Sequence, residues 1–118
     1  MILVDTSVWI DHLRQADPRL GALLESADVV THPMVVGELA MGDIRPRSEL
    51  LDLLDQIHHC SFATHTEVME LIEAQRLHGK GLGIVDAHLL ASAVLTPGTA
   101  LWTRDKQLAK AAATLGVD

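Results

Sequence analysis

The chain opens on Ile2, Leu3 and Val4, three apolar residues in succession with no polar alternation, the pattern of a strand buried on both faces of a parallel sheet. That strand is expected to end at Asp5. Thr6 or Ser7 can cap a helix carrying Val8, Trp9, Ile10 and Leu13, and Asp17 before Pro18 reads as a second cap with proline at the first helical position. Val29–Thr31 predicts a second strand, and Pro33 then opens an apolar helix through Met34, Val35, Val36, Leu39 and Met41. Pro46 starts another helix, in which Leu50, Leu53, Leu54 and Ile57 form an apolar stripe on one side.

Residues 60–63 read as a third strand. Thr64 with Glu67 three positions on is a capping box, opening a helix with Val68, Leu71, Ile72 and Leu77 inward and a stop near Gly79. Gly81 and Gly83 lie in the link to Ile84–Leu95, an apolar stretch long enough to be a largely buried helix. Thr96, Pro97 and Gly98 make a turn before a fourth strand at residues 100–103. Asp105 can cap a last helix through Leu108 and Ala112, which Gly116 ends, with Val117 starting a stub of strand. Strands alternating with helices predict an α/β domain with a mostly parallel sheet, and a length of 118 residues predicts a single domain over residues 1–118.

Composition narrows what such a domain can do. With 48% apolar and 21% charged residues the chain is expected to fold unaided. Tyrosine is absent and Phe62, Trp9 and Trp102 are the only aromatic residues of the phenylalanine and tryptophan types, too few for a base-stacking platform. Nine Lys and Arg against sixteen Asp and Glu give a formal charge of -7, which repels a polyanion at long range. Any nucleic acid must therefore be held locally, by metal ions or a small basic rim. Cys60 is alone and cannot form an intramolecular disulfide, Asp5 breaks the apolar start before it could act as a signal peptide, and no stretch suits a membrane helix. A soluble, cytoplasmic protein is expected.

Four acids sit badly in their surroundings. Asp5 follows a buried strand, Glu38 lies between Val35, Val36 and Leu39, Ala40, Asp86 interrupts the most apolar helix, and Asp105 stands just beyond Leu101, Trp102 and Thr103. In an open parallel sheet, ligands bind outside the carboxyl ends of the strands. Asp5 and Asp105 are expected on that rim, and the two helices can bring Glu38 and Asp86 to it. Ionised carboxylates gathered there cost several kcal/mol each without compensating cations. A hard divalent ion compensates them: oxygen ligands select Mg²⁺ or Mn²⁺, which keep water and substrate phosphate in their shell. The chemistry this suggests is metal-assisted phosphodiester hydrolysis.

These residues carry a resemblance. Ile-Leu-Val-Asp-Thr-Ser-Val-Trp-Ile at the start, Val-Val-Gly-Glu-Leu around Glu38, Gly-Ile-Val-Asp-Ala-His-Leu-Leu-Ala around Asp86 and Leu-Trp-Thr-Arg-Asp ending at Asp105 resemble the acidic motifs of PIN domains. In order, spacing and total length the chain is most similar to VapC-type toxins of VapBC toxin-antitoxin pairs. The resemblance implies a three-layer α/β/α PIN fold with four to five strands, Mg²⁺- or Mn²⁺-dependent endoribonuclease activity, homodimerisation, and inhibition by a small VapB-like antitoxin. It also implies that Asp5, Glu38, Asp86 and Asp105 line the metal site, with Thr6 and Thr103 nearby. Gln107 and Leu108 stand where many members carry an acid or an aromatic residue.

Plainer roles compete for each residue. Asp86 and Asp105 can serve as helix caps, Asp5 can be only a strand-end residue, and Glu38 can be a solvated side chain. His58, His59 and His65 lack the spacing of a zinc site and read as surface or capping residues, while His12 and His88 read as helix-surface positions. Lys80 among Gly79, Gly81 and Gly83 is not followed by the Gly-Lys-Ser/Thr of a phosphate loop. Arg14, Arg104 and Lys106 are candidate phosphate contacts. The rival functional reading is a catalytically silent PIN-like module that binds an antitoxin-like protein or RNA; a phosphoacceptor receiver domain fails because no acid pair follows the first strand.

Overall fold

The computed structural model describes residues Met1–Asp118. Its elements run β1 (Ile2–Val4), α1 (Thr6–Arg14), α2 (Pro18–Glu25), β2 (Val29–Thr31), α3 (Pro33–Met41), α4 (Arg47–Gln56), β3 (His58–His59), α5 (His65–Gln75), α6 (Ile84–Leu95), β4 (Ala100–Trp102) and α7 (Lys106–Thr114). The strands lie in the order β3-β2-β1-β4 and every pairing is parallel. Leu3 and Val4, which point to opposite faces because side chains alternate along a strand, are both fully buried. The sheet is thus covered on both sides, giving three α/β/α layers, and the unbroken apolar start of the sequence has its explanation.

β1 is the hinge of the topology. The chain leaves it to form β2 on one side and returns much later to form β4 on the other, with Leu3 opposite both Val30 and Leu101. Strand order therefore reverses at β1, and the crevice beyond its carboxyl end is where an open α/β sheet binds its ligand. Asp5 occupies that point, with its backbone N–H bonded to the Trp102 carbonyl at 2.9 Å. One apolar core, with Trp9, Leu20, Leu54, Leu89, Leu90 and Leu108 wholly buried, fixes α1, α2, α4, α6 and α7 around the sheet. A smaller cluster of Ala63, Val68, Ala87 and Ala91 joins α5 to α6.

Local chemistry sets the boundaries, with four departures from the sequence reading. Asp5, rather than Thr6 or Ser7, caps α1. The third strand is His58–His59 and not residues 60–63, because Thr31 pairs with His59, leaving only the Cys60 N–H to continue the ladder onto the Thr31 carbonyl. As an edge strand with a neighbour on one side, β3 tolerates polar histidines. The capping box of Thr64 and Glu67 forms as expected, but α5 ends earlier than Gly79, at Arg76 in the left-handed conformation with φ of 51°. Val117 adds no strand, although its carbonyl accepts the Leu101 N–H at 2.6 Å.

Candidate active site

Asp5 is the centre of a hydrogen-bonded cluster at the end of β1. It is buried, and its Oδ1 accepts the Thr6 N–H at 2.8 Å, while Oδ2 accepts the hydroxyls of Ser7 at 2.8 Å and Thr103 at 2.7 Å. The two hydroxyls then act as acceptors. Ser7 Oγ takes the Arg104 N–H at 3.1 Å and Thr103 Oγ1 takes the Asp105 N–H at 3.0 Å. Because each hydroxyl proton points to Asp5, the turn after β4 is locked onto the start of α1. Ser7 was not singled out by the sequence reading as part of the site. The signal that exposes it is its place two residues after a strand-end acid, where a first-turn hydroxyl can reach back to the capping carboxylate.

The other three acids arrive on separate elements. Glu38, on α3, accepts the Thr6 hydroxyl through Oε1 at 2.7 Å, so Thr6 ties α3 to α1. Asp86, in the first turn of α6, accepts the Gly83 N–H through Oδ2 at 2.9 Å, and Asp105 caps α7 by accepting the Leu108 N–H through Oδ1 at 2.9 Å. Capping and proximity are therefore compatible: Asp5, Asp86 and Asp105 hold helix starts, and Asp86 still lies within reach of the charges of Asp5, Asp105 and Glu38. Their burial differs from expectation. Asp5 is buried and Asp86 half-buried, but Glu38 and Asp105 are exposed, since the inward face of α3 is Val35 and Leu39 while Glu38 shares the outer face with Met41, itself 89% exposed.

The Asp86 carboxyl senses the other three acids. Burial first, and then the negative charges of Asp5, Asp105 and Glu38, push the Asp86 carboxyl above the usual carboxylate range, against the opposing pull of the Gly83 N–H. No cation relieves this. The ion pairs of the protein are Arg45 with Asp43, and Arg104 with Asp11 at 2.8 Å and Asp17 at 2.6 Å; none reaches Asp5, Glu38, Asp86 or Asp105. The four do not form a closed cage either, for no three acid, histidine or cysteine side chains anywhere converge tightly enough to grip an ion unaided. An open, uncompensated set of carboxylate oxygens fits a hard divalent ion that fills the rest of its shell with water and phosphate.

A family model described as the PIN domain matches residues 2–114, a span that includes all four acids. The chain belongs to the PIN-domain family. It is also 53% identical over 117 residues to the proteins named Ribonuclease VapC32 of Mycobacterium tuberculosis strains CDC 1551 / Oshkosh and ATCC 25618 / H37Rv, covering 99% of this chain and 94% of each relative.

Within this PIN domain several other candidates find different employment. The Arg104 guanidinium is turned away from the acids to bridge Asp11 and Asp17, so only its backbone touches the Asp5 cluster. Arg14 and Lys106 are exposed. His12 accepts the Asp17 N–H at 2.9 Å, and His88, expected on a helix surface, is buried beside His32 with ring centroids 6.3 Å apart. A concavity lined by none of the four acids lies between the loop after α5 and α7. No helix is long and apolar enough to cross a membrane.

Proposed function

We propose that this protein is an endoribonuclease that hydrolyses RNA phosphodiesters with Mg²⁺ or Mn²⁺ held by Asp5, Glu38, Asp86 and Asp105. We further propose that it is the toxin of a VapBC-type pair, a cytoplasmic homodimer restrained by a VapB-like antitoxin. The observation that carries the chemistry is the half-buried Asp86 carboxyl, raised by burial first and then by the charges of Asp5, Asp105 and Glu38, with no arginine or lysine paired to any of the four. The identity to relatives named ribonucleases supports RNA as the substrate.

When bound, a divalent ion supplies stabilisation for the negative charge that develops on a phosphodiester under attack. The chain's own residues provide the rest. Asp5, fixed by three donors, cannot rotate away from the strand end, so its position is set before substrate arrives. Asp86 gains from a cation because burial and the neighbouring negative charges both disfavour its ionised form. Glu38 is exposed and held by a single hydroxyl, which leaves its second oxygen free to orient an attacking water and take its proton. Asp105 closes the set from the β4 side while fixing the start of α7.

Ser7→Ala tests the positioning part of this scheme. It removes one donor to Asp5 and the acceptor for the Arg104 N–H, and RNA cleavage is expected to fall by roughly 10- to 100-fold, the range typical of residues that orient ligands. Single-turnover cleavage at saturating Mn²⁺ measures it; a rate equal to wild type would remove Ser7 from the site. The whole reading is tested by incubating the purified protein with RNA and Mn²⁺ or Mg²⁺, with EDTA as control, alongside calorimetric Mn²⁺ titration. Metal-dependent internal cuts support it. A protein that binds its antitoxin tightly but neither takes up Mn²⁺ nor cuts RNA is the silent module instead.

A further inference from the structure

All three lysines of this acidic chain, Lys80, Lys106 and Lys110, fall in the loop after α5 or on α7, and none is in an ion pair. Lys80 and Lys110 line a groove of about 230 Å³ whose lining residues include no acid. Its apolar surface comes from Leu77 and Leu82 among others, and Gln75 and Gln107 add side-chain amides. The size is below the roughly 300 Å³ at which pockets for drug-sized ligands begin, and leaves room for one base with its phosphates outside on the lysines.

The groove is also joined to the acids. One wall is the loop that ends at Gly83, whose N–H holds Asp86; the other is α7, whose cap is Asp105. The walls meet where a Cβ on Gly81, a residue with φ of +77°, would stand 3.7 Å from the Gln107 side chain. A strand of RNA with its scissile phosphate at the acids would have this lysine-bearing concavity beside it. A protein with formal charge -7 needs such a local cationic surface to hold a polyanion.

We propose that this groove is a subsite for a nucleotide flanking the scissile bond, with Lys80 and Lys110 on its phosphates, its base against Leu77 and Leu82, and Gln107 facing the base edge. The assignment rests on the nuclease reading for its biological sense, but its test does not depend on catalysis. Binding of a labelled single-stranded RNA is measured in Ca²⁺ across a salt series for the wild type, Lys80→Ala, Lys110→Ala and, as an exposed charge control, Arg45→Ala. Each lysine variant is expected to lower the slope of log affinity against log salt by about 0.7 and to weaken binding about fivefold near 0.1 M salt. Arg45→Ala is expected to leave the slope as it is. Wild-type slopes in both lysine variants overturn the subsite, as does an acidic peptide that binds the wild type and loses affinity in the lysine variants while RNA affinity stays constant. If RNA binding shows the expected lysine dependence but no metal-dependent cleavage occurs, the nuclease reading fails and the subsite stands; metal-dependent cleavage with lysine-independent binding is the reverse result.

Discussion

Asp5→Asn is expected to fold and to lose metal-dependent RNA cleavage by on the order of 10³-fold, the scale seen when one electrostatic group of a preorganised site is removed. The fold survives because asparagine has the same shape and its carbonyl can take over the Thr6 N–H. Its amide then faces the Ser7 and Thr103 hydroxyls, which can rotate to accept instead of donate. Each also has a backbone N–H to satisfy, so the cost is about 1 kcal/mol, partly offset by removing one of four repelling charges. The functional loss is larger because the missing charge is the buried one, at the strand end where the sheet reverses. Circular dichroism, a denaturant midpoint, Mn²⁺ titration and cleavage rates together decide the matter. Cleavage that persists in Asp5→Asn and in the presence of EDTA would refute the metal-site assignment.

Much of this arrangement was legible in the residues themselves. An unbroken apolar run announced β1 because a strand covered on both faces has no polar side to display, and the isolated acids after β1 and β4 marked the strand ends where the site forms. The capping box at Thr64 was equally readable, since both of its hydrogen bonds are local. What failed was information carried by partners distant in sequence. The register of β3 depends on Thr31, and hydropathy favoured the stretch from Cys60 over the two histidines that pair. The exposure of Glu38 was misjudged because α3 is apolar on its outer face as well, so its neighbours in sequence are not its neighbours in space. Ser7 gains its role only when β4 brings Thr103 and Arg104 across from the far end of the chain. The lysine groove likewise needs the tertiary fold to bring Lys80 beside Lys110.

The second large effect expected is a loss of stability in mild acid that traces to one histidine. His32 caps α3, the helix that carries Glu38, by accepting the Met34 N–H through Nδ1 at 3.0 Å, which requires a neutral ring with its proton on Nε2. The ring is 3% exposed, packed edge-on against Phe62 at 5.5 Å and near His88, and Nε2 has no partner. Burial, followed by the charges of His88 and His59, holds its pKa at about 4 against an ordinary 6.5. The folded protein therefore refuses a proton that the unfolded chain accepts between those values. Stability conferred by the neutral ring is complete above pH 6.5, falls as pH drops through the window, and reaches its full loss near pH 4. At ~1.4 kcal/mol per pKa unit the loss approaches about 3 kcal/mol. His32→Asn separates this contribution from the carboxylates that titrate nearby. Asparagine can still cap α3 but does not titrate. The variant is expected to be less stable than wild type at pH 7.5, because ring contacts to Phe62 are lost, yet to lose less stability on acidification. Urea midpoints at pH 7.5 and 4.5 give the comparison, and parallel declines in the two proteins would show that His32 is not the group responsible.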